Sequence, residues 1–186
     1  MGYDFKWMRK TIDECKGTTC EVLFGWGLDR GEPNPERAKI REHIFEHIKT
    51  LIEQGKIEGT VLKAPVDVVL SQRDLVHPDL VFLTPDKMDL LNGREIDGIP
   101  SLIVEVLEDR NDYIQLLLKA ALYENYQVPE FWAVDPYKRE INHYVYRGFD
   151  MKPFLSFEGA HGVGDSFTSP ILGGIEIEVE KILGEL

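Results

Sequence analysis

Cysteine is scarce in this chain, with two among 186 residues. Cys15 and Cys20 lack the second pair that a zinc knuckle or a disulfide-stapled secreted scaffold requires, and they read as two reduced thiols. Long apolar runs are absent too. None approaches the roughly 18 residues that span a bilayer, and Met1 to Lys10 mixes charge throughout in place of a signal-peptide core. The expectation is a soluble, cytoplasmic protein with no membrane association. Basic residues are in deficit: 21 Lys and Arg stand against 33 Asp and Glu, for a net charge of −12. That balance speaks against a surface that grips nucleic acid indiscriminately. The chain also has no P-loop, no G-x-G-x-x-G, no G-x-S-x-G, no internal repeat and no low-complexity segment.

What is present is material for a core. With 43% hydrophobic residues, the length suits one domain over residues 1–186, with residues 1–20 as an N-terminal arm or short helix. Cys20 to Leu28 reads as a first strand bent at Gly25 and Gly27. Asn34-Pro35-Glu36 carries the grammar of a helix start, with Asn34 as cap and Pro35 at the first helical position, and Gly55 marks the stop after Gln54. Strand signals return from Gly59 to Leu70, where Asp67 points away from Val66, Val68 and Leu70. A further strand is predicted from Leu75 through Pro78-Asp79 to Leu83. A short helix follows over Pro85–Leu91, then a loop to Ser101. Leu102 to Leu107 is apolar except for Glu105 and should be a central strand. A helix over Asp112–Tyr126, a buried strand over Phe131–Val134 and later strands near 140–146, 154–157 and 175–179 complete a mixed α/β (α+β) pattern.

A carboxylate inside a strand as apolar as 102–107 is costly unless it is compensated by a metal, a cation or a shared proton. On the helix that follows, apolar residues cover most of the circumference and leave a stripe of Gln115, Lys119, Tyr123 and Tyr126. Lys119 is its one cation, and the stripe either faces water or meets Glu105. Asp79, after a proline, is either a turn residue or a ligand. Together Asp79, Glu105 and Lys119 suit phosphodiester hydrolysis. In that chemistry two carboxylates hold Mg²⁺ or Mn²⁺ through oxygen, and a nearby ammonium positions water or offsets charge on the phosphoryl oxygens. One rival motif is His43-Ile44-Phe45-Glu46-His47, an inverted zincin pattern on a helix. Its charged neighbours favour a solvated helix face, and no third ligand announces itself.

Several motifs, in order, resemble the Uma-two family, a restriction-endonuclease group within the PD-(D/E)XK nuclease superfamily. They are Asn34-Pro35-Glu36, Pro65-Val66-Asp67-Val68, Pro78-Asp79-Leu80-Val81-Phe82, Gly98-Ile99-Pro100 before Val104-Glu105-Val106-Leu107, Lys119 with Tyr123, Val128 to Pro136, Gly164-Asp165 and Ser169-Pro170. The resemblance implies a restriction-endonuclease-like core, a mixed central sheet flanked by helices, and a metal-dependent endonuclease acting on DNA. Asp79, Glu105 and Lys119 would be catalytic, with Asp79 and Glu105 holding Mg²⁺ or Mn²⁺, and Asp67 and Tyr123 supporting. The superfamily's lysine usually lies two residues beyond the acid, where this chain has Leu107. The family's lysine sits on the next helix, as Lys119 does. The chain departs from the family at Glu108-Asp109-Arg110, at Gln115, at Arg37, where the family usually has His, and at Gln127. The alternative is a catalytically silent nuclease-fold module for binding or assembly. DNA contact by an acidic chain would need clustered basic residues such as Lys138, Arg139 and Arg147, or a groove built by a homodimer.

Overall fold

The computed structural model describes residues 9–29, 35–107, 113–148 and 154–184. A one-turn helix α1 (Ile12–Cys15) leads into a hairpin, β1 (Cys20–Leu23) and β2 (Trp26–Asp29). The predicted bend in one strand is therefore a reversal. Phe24 and Gly25 both take positive φ, 53° and 78°, which is the geometry of a two-residue turn whose twist matches the strands it joins. Helix α2 runs over Pro35–Glu53, and Gly55 (φ 66°) follows it in the left-handed conformation. The predicted cap, Asn34, lies outside the described residues.

Strands β3 (Thr60–Lys63), β4 (Asp67–Ser71), β5 (Asp74–Val76) and β6 (Leu80–Leu83) come next. The single strand expected from Leu75 to Leu83 is in fact two strands in different sheets, because His77-Pro78-Asp79 carries the chain across from one sheet to the other. A 3-10 helix (Pro85–Leu90) precedes a small hairpin, β7 (Leu91–Asn92) and β8 (Glu95–Asp97), in the stretch expected to be loop. These strands are two and three residues long, too short for an alternation pattern to register. Then follow β9 (Leu102–Val106), α3 (Tyr113–Asn125), β10 (Glu130–Asp135), β11 (Glu140–Arg147), β12 (Phe154–Gly162), β13 (Ser166–Ser169), β14 (Ile175–Glu178) and α4 (Glu180–Leu183).

The strands form two mixed six-stranded sheets and a small hairpin of β13 and β14. The first sheet has the order β2-β1-β5-β4-β8-β7, with β4 and β8 parallel. The second has the order β12-β11-β10-β9-β6-β3, with β9 and β10 parallel at its centre. Alternation sends Leu102, Val104 and Val106 of β9, with Trp132 and Val134 of β10, to one face of the second sheet. There they meet Ile40, Ile44, Ile48 and Leu51, spaced three and four apart on α2. Ile103, Phe131 and Ala133 take the other face and pack with Leu122 and Tyr123 of α3 and with Val68, Leu70 and Val76 of the first sheet. Glu130 ties the C-terminal hairpin to β10. Its carboxylate accepts the Ser169 hydroxyl and the Ile171 amide, each at 2.9 Å.

One expectation is corrected here and one open alternative is decided. The sulfurs of Cys15 and Cys20 are bonded to each other as a disulfide; the turn of α1 brings them together, which five residues of sequence separation did not suggest. On α3, the stripe that reads as a water-facing option is the inward face: Lys119 and Tyr123 are buried, whereas Ile114 and Leu117 are exposed. Among the described residues no helix is long and apolar enough to cross a membrane.

Candidate active site

The site lies at the seam where the crossing segment His77-Pro78-Asp79 joins the two sheets. Glu105 on β9 shares a face with Ile103, so it is aimed at α3 and not at α2. There the Lys119 ammonium stands 2.7 Å from Glu105 Oε1, and the Tyr123 hydroxyl donates to the same oxygen at 2.6 Å. Residues 119 and 123 are one helical turn apart, which puts both on one edge of α3. Glu105 is 3% exposed and Lys119 3%, so each supplies the charge compensation that burial demands of the other.

Asp79 is 1% exposed. Its Oδ2 accepts the backbone amide of Val106 at 2.8 Å, which fastens the crossing segment to the strand that carries Glu105. Arg37, in the first turn of α2, closes a two-point fork on the same carboxylate, Nε to Oδ1 and Nη2 to Oδ2, both at 2.7 Å. Nη2 of Arg37 also stands 4.0 Å from Glu105 Oε2. One turn further along α2, Arg41 Nη1 lies 3.8 Å from Asp79 Oδ1. Thus the expected trio is drawn together from three separate elements, and Arg37 bridges its two carboxylates.

Asp67 lines a cavity together with Asp79, Arg37 and Arg41, whereas Glu105 and Lys119 are not among its lining residues. Oδ1 of Asp67 is 3.0 Å from His77 Nε2, and its Oδ2 accepts the Gly17 amide at 3.0 Å. The cavity, about 610 Å³, is lined by Gly17 to Thr19, Arg37, Arg41, Ala64 to Asp67, His77, Asp79, Asn92, Arg94 and Glu95. Its far wall is the loop closed by the Cys15–Cys20 disulfide, with Lys16 held on Glu95 at 2.9 Å.

Tyr126 pins the C-terminal end of α3 to the first sheet. Its hydroxyl bonds Asp74 Oδ2 at 2.5 Å and Ser71 Oγ at 2.7 Å. Burial and then the neighbouring Asp74 carboxylate push the Tyr126 phenol above its ordinary value. The anchor fixes the rotation of α3 and so aims Lys119 and Tyr123 at Glu105.

The sequence reading missed Glu21. This residue is fully buried in β1; its Oε1 stands 2.7 Å from the Lys119 ammonium and accepts the His77 amide at 2.7 Å. The signal was the one that marks Glu105, a carboxylate inside a short apolar strand, here Cys20-Glu21-Val22-Leu23. Arg41 and Arg94 were missed as well. The basic cluster considered earlier does not form. Lys138 and Arg147 flank opposite ends of β11, Arg139 is held by the carbonyls of Leu183 and Gly184, and Arg147 is forked on Glu158. On α2, His43 and His47 gather no third ligand, and nowhere among the described residues, the seam of Asp79 and Glu105 included, do three His, Cys, Asp or Glu side chains form a group that could hold a metal ion.

Two mixed six-stranded sheets with helices packed on them give the chain the mixed α+β architecture of a restriction-endonuclease-like fold. The chain belongs to the Uma2 family, described as "Putative restriction endonuclease", whose model matches residues 16–170. It is similar in fold to the crystal structure of a "putative nuclease belonging to DUF820" from Anabaena variabilis ATCC 29413. The TM-score is 0.66 over 89% of this chain and 89% of that one, at 10% sequence identity. No curated protein matches the chain.

Proposed function

We propose that the protein is a metal-dependent endonuclease that hydrolyses phosphodiester bonds of DNA at the seam holding Asp79, Glu105 and Lys119. The observation that carries this reading is the convergence itself: Asp79 is bonded to the amide beside Glu105, and Lys119 is seated on Glu105 at 2.7 Å. Asp79 and Glu105 offer the hard carboxylate oxygens that Mg²⁺ or Mn²⁺ prefers. That the position accepts positive charge is evident from the Arg37 guanidinium bridging them. Bound there, such an ion supplies Lewis-acid polarisation of a phosphoryl oxygen and a more acidic water.

The remaining work falls to side chains. Lys119, buried between Glu21 and Glu105, would orient the attacking water and offset charge growing on the phosphoryl group. Arg41, on the cavity wall, presents a guanidinium group suited to the phosphates of a strand laid into it, beside Arg94, whose guanidinium is partly held by the carbonyls of Pro65 and Lys63. Local positive charge of this kind is what a chain of net charge −12 needs in order to hold DNA at one place.

The test is cleavage of supercoiled plasmid and of single-stranded DNA with Mg²⁺ or Mn²⁺, with wild type and Asp79→Asn from identical purifications. Asn is the better control than Ala because Asp79 is buried among three donors, two from Arg37 and the Val106 amide, and an isosteric amide keeps the space filled. Cleavage by wild type alone is expected. Equal activity in the two preparations, or none with either ion, overturns the assignment. The second reading, a silent nuclease-fold module for binding or assembly, is favoured by one observation, the Arg37 fork on Asp79. It predicts no cleavage with any metal and recovery of a specific partner.

A further inference from the structure

The Arg37 fork bears on the metal directly. Both oxygens of Asp79 accept from the guanidinium at 2.7 Å, and one of them also accepts the Val106 amide at 2.8 Å. A carboxylate has about four lone-pair sites. Mg²⁺ approaches its oxygens to about 2.0–2.1 Å and demands near-octahedral geometry, and with three sites taken its direct approach is confined to the remaining one on Oδ1, where Arg41 stands 3.8 Å away. The Arg37 guanidinium faces Glu105 from the other side, at 4.0 Å. It stands between the two residues read as metal ligands.

Charge makes the same point. The buried carboxylates of Asp79, Glu105 and Glu21 face the cations Arg37 and Lys119, with Arg41 3.8 Å from Asp79. Among the described residues, three negative charges thus meet three positive ones. A divalent ion added to that set leaves two positive charges in excess within a water-poor seam, where uncompensated charge is costly. Displacement of one guanidinium halves the excess. The cavity that Arg37 lines gives the side chain space to enter after leaving Asp79, with Asp67 and Glu95, paired here with His77 and Lys16, on its walls.

We propose that Arg37 is the resident cation of this site, bridging Asp79 and Glu105 until a divalent ion displaces it into the cavity, so that metal affinity is set by competition with the chain's own guanidinium. This rests on reading Asp79 and Glu105 as metal ligands, and it adds a residue that opposes the metal where the site would otherwise receive it unhindered.

The experiment measures Mn²⁺ binding to the full chain without substrate, from the paramagnetic resonance signal of the free ion. Wild type, Arg37→Gln and the double variant Arg37→Gln/Asp79→Asn are compared. Removal of the guanidinium is expected to tighten Mn²⁺ binding at least tenfold, and the double variant to lose that gain. Equal, Asp79-dependent binding by wild type and Arg37→Gln overturns the competition while leaving the metal reading intact. No binding by any variant overturns both. Should Arg37→Gln fail to fold by circular dichroism, Arg37→Lys serves in its place. Lysine keeps the charge but cannot make the two-point fork, so a smaller increase in affinity is expected, and no increase overturns the proposal.

Discussion

Lys119 and Glu21 meet at 2.7 Å in the interior of the protein, the ammonium of α3 against a carboxylate of β1. The same ammonium is 2.7 Å from Glu105, so one cation compensates two buried anions on two different sheets. Glu21 in turn accepts the amide of His77, which begins the segment that delivers Asp79. The catalytic lysine of the proposed mechanism is therefore also a structural tie between the layers.

Replacing Lys119 by Met is expected to destabilise the fold by about 3–5 kcal/mol, the range for removing one partner of a buried ion pair. The volume is kept while Glu21 and Glu105 lose their shared ammonium. Adding Glu21→Gln should recover part of that loss, because the Glu21 side chain is then neutral. Urea unfolding of wild type, both single variants and the double variant measures the coupling. Additive effects would show that the 2.7 Å contact carries no energetic tie.

The position of α3 depends on Tyr126 as well. Tyr126→Phe removes the hydrogen bonds to Ser71 and to buried Asp74, at an expected cost of about 1.5–3 kcal/mol for a bond to a charged group. The pH dependence has a definite sign. The folded phenol lies above its ordinary value, so the advantage of wild type over Tyr126→Phe is fully present below the unfolded pKa of about 10. It is lost as pH rises through the folded value, where a tyrosinate would face Asp74. Unfolding curves at pH 8 and above pH 10 test this, and a gap that widens at high pH refutes it.

The elements whose signals are local were legible in the sequence. Gly55 after α2, the four-residue spacing of Ile40, Ile44 and Ile48, and the apolar run of β9 each declare themselves within a few residues. The break at His77-Pro78-Asp79 was not legible, because both flanking runs are apolar. Only the assignment of β5 and β6 to different sheets shows that the segment crosses between layers. The inward face of α3 was undecidable for a related reason. A helix with apolar residues most of the way round does not reveal its buried side until Glu21 and Glu105 supply partners for Lys119. Arg37 stood out in the sequence as a departure from the family, but its grip on Asp79 depends on how α2 is placed against the seam.

The Cys15–Cys20 bond closes the loop whose residues Gly17, Thr18 and Thr19 form one wall of the cavity. For so short a loop the chain-entropy relation gives a stabilisation of about 2 kcal/mol. Thiol titration of the unfolded, unreduced protein should find no free cysteine, and reduction should lower the urea midpoint without changing the slope. Reduction also frees the loop from one of its tethers, leaving the Gly17 amide on Asp67 and Lys16 on Glu95 to hold the wall in place. Protease nicking between residues 16 and 19 is therefore expected to accelerate on reduction. Two titratable thiols before any reductant is added would restore the reading of a reduced pair and remove this tether from the cavity.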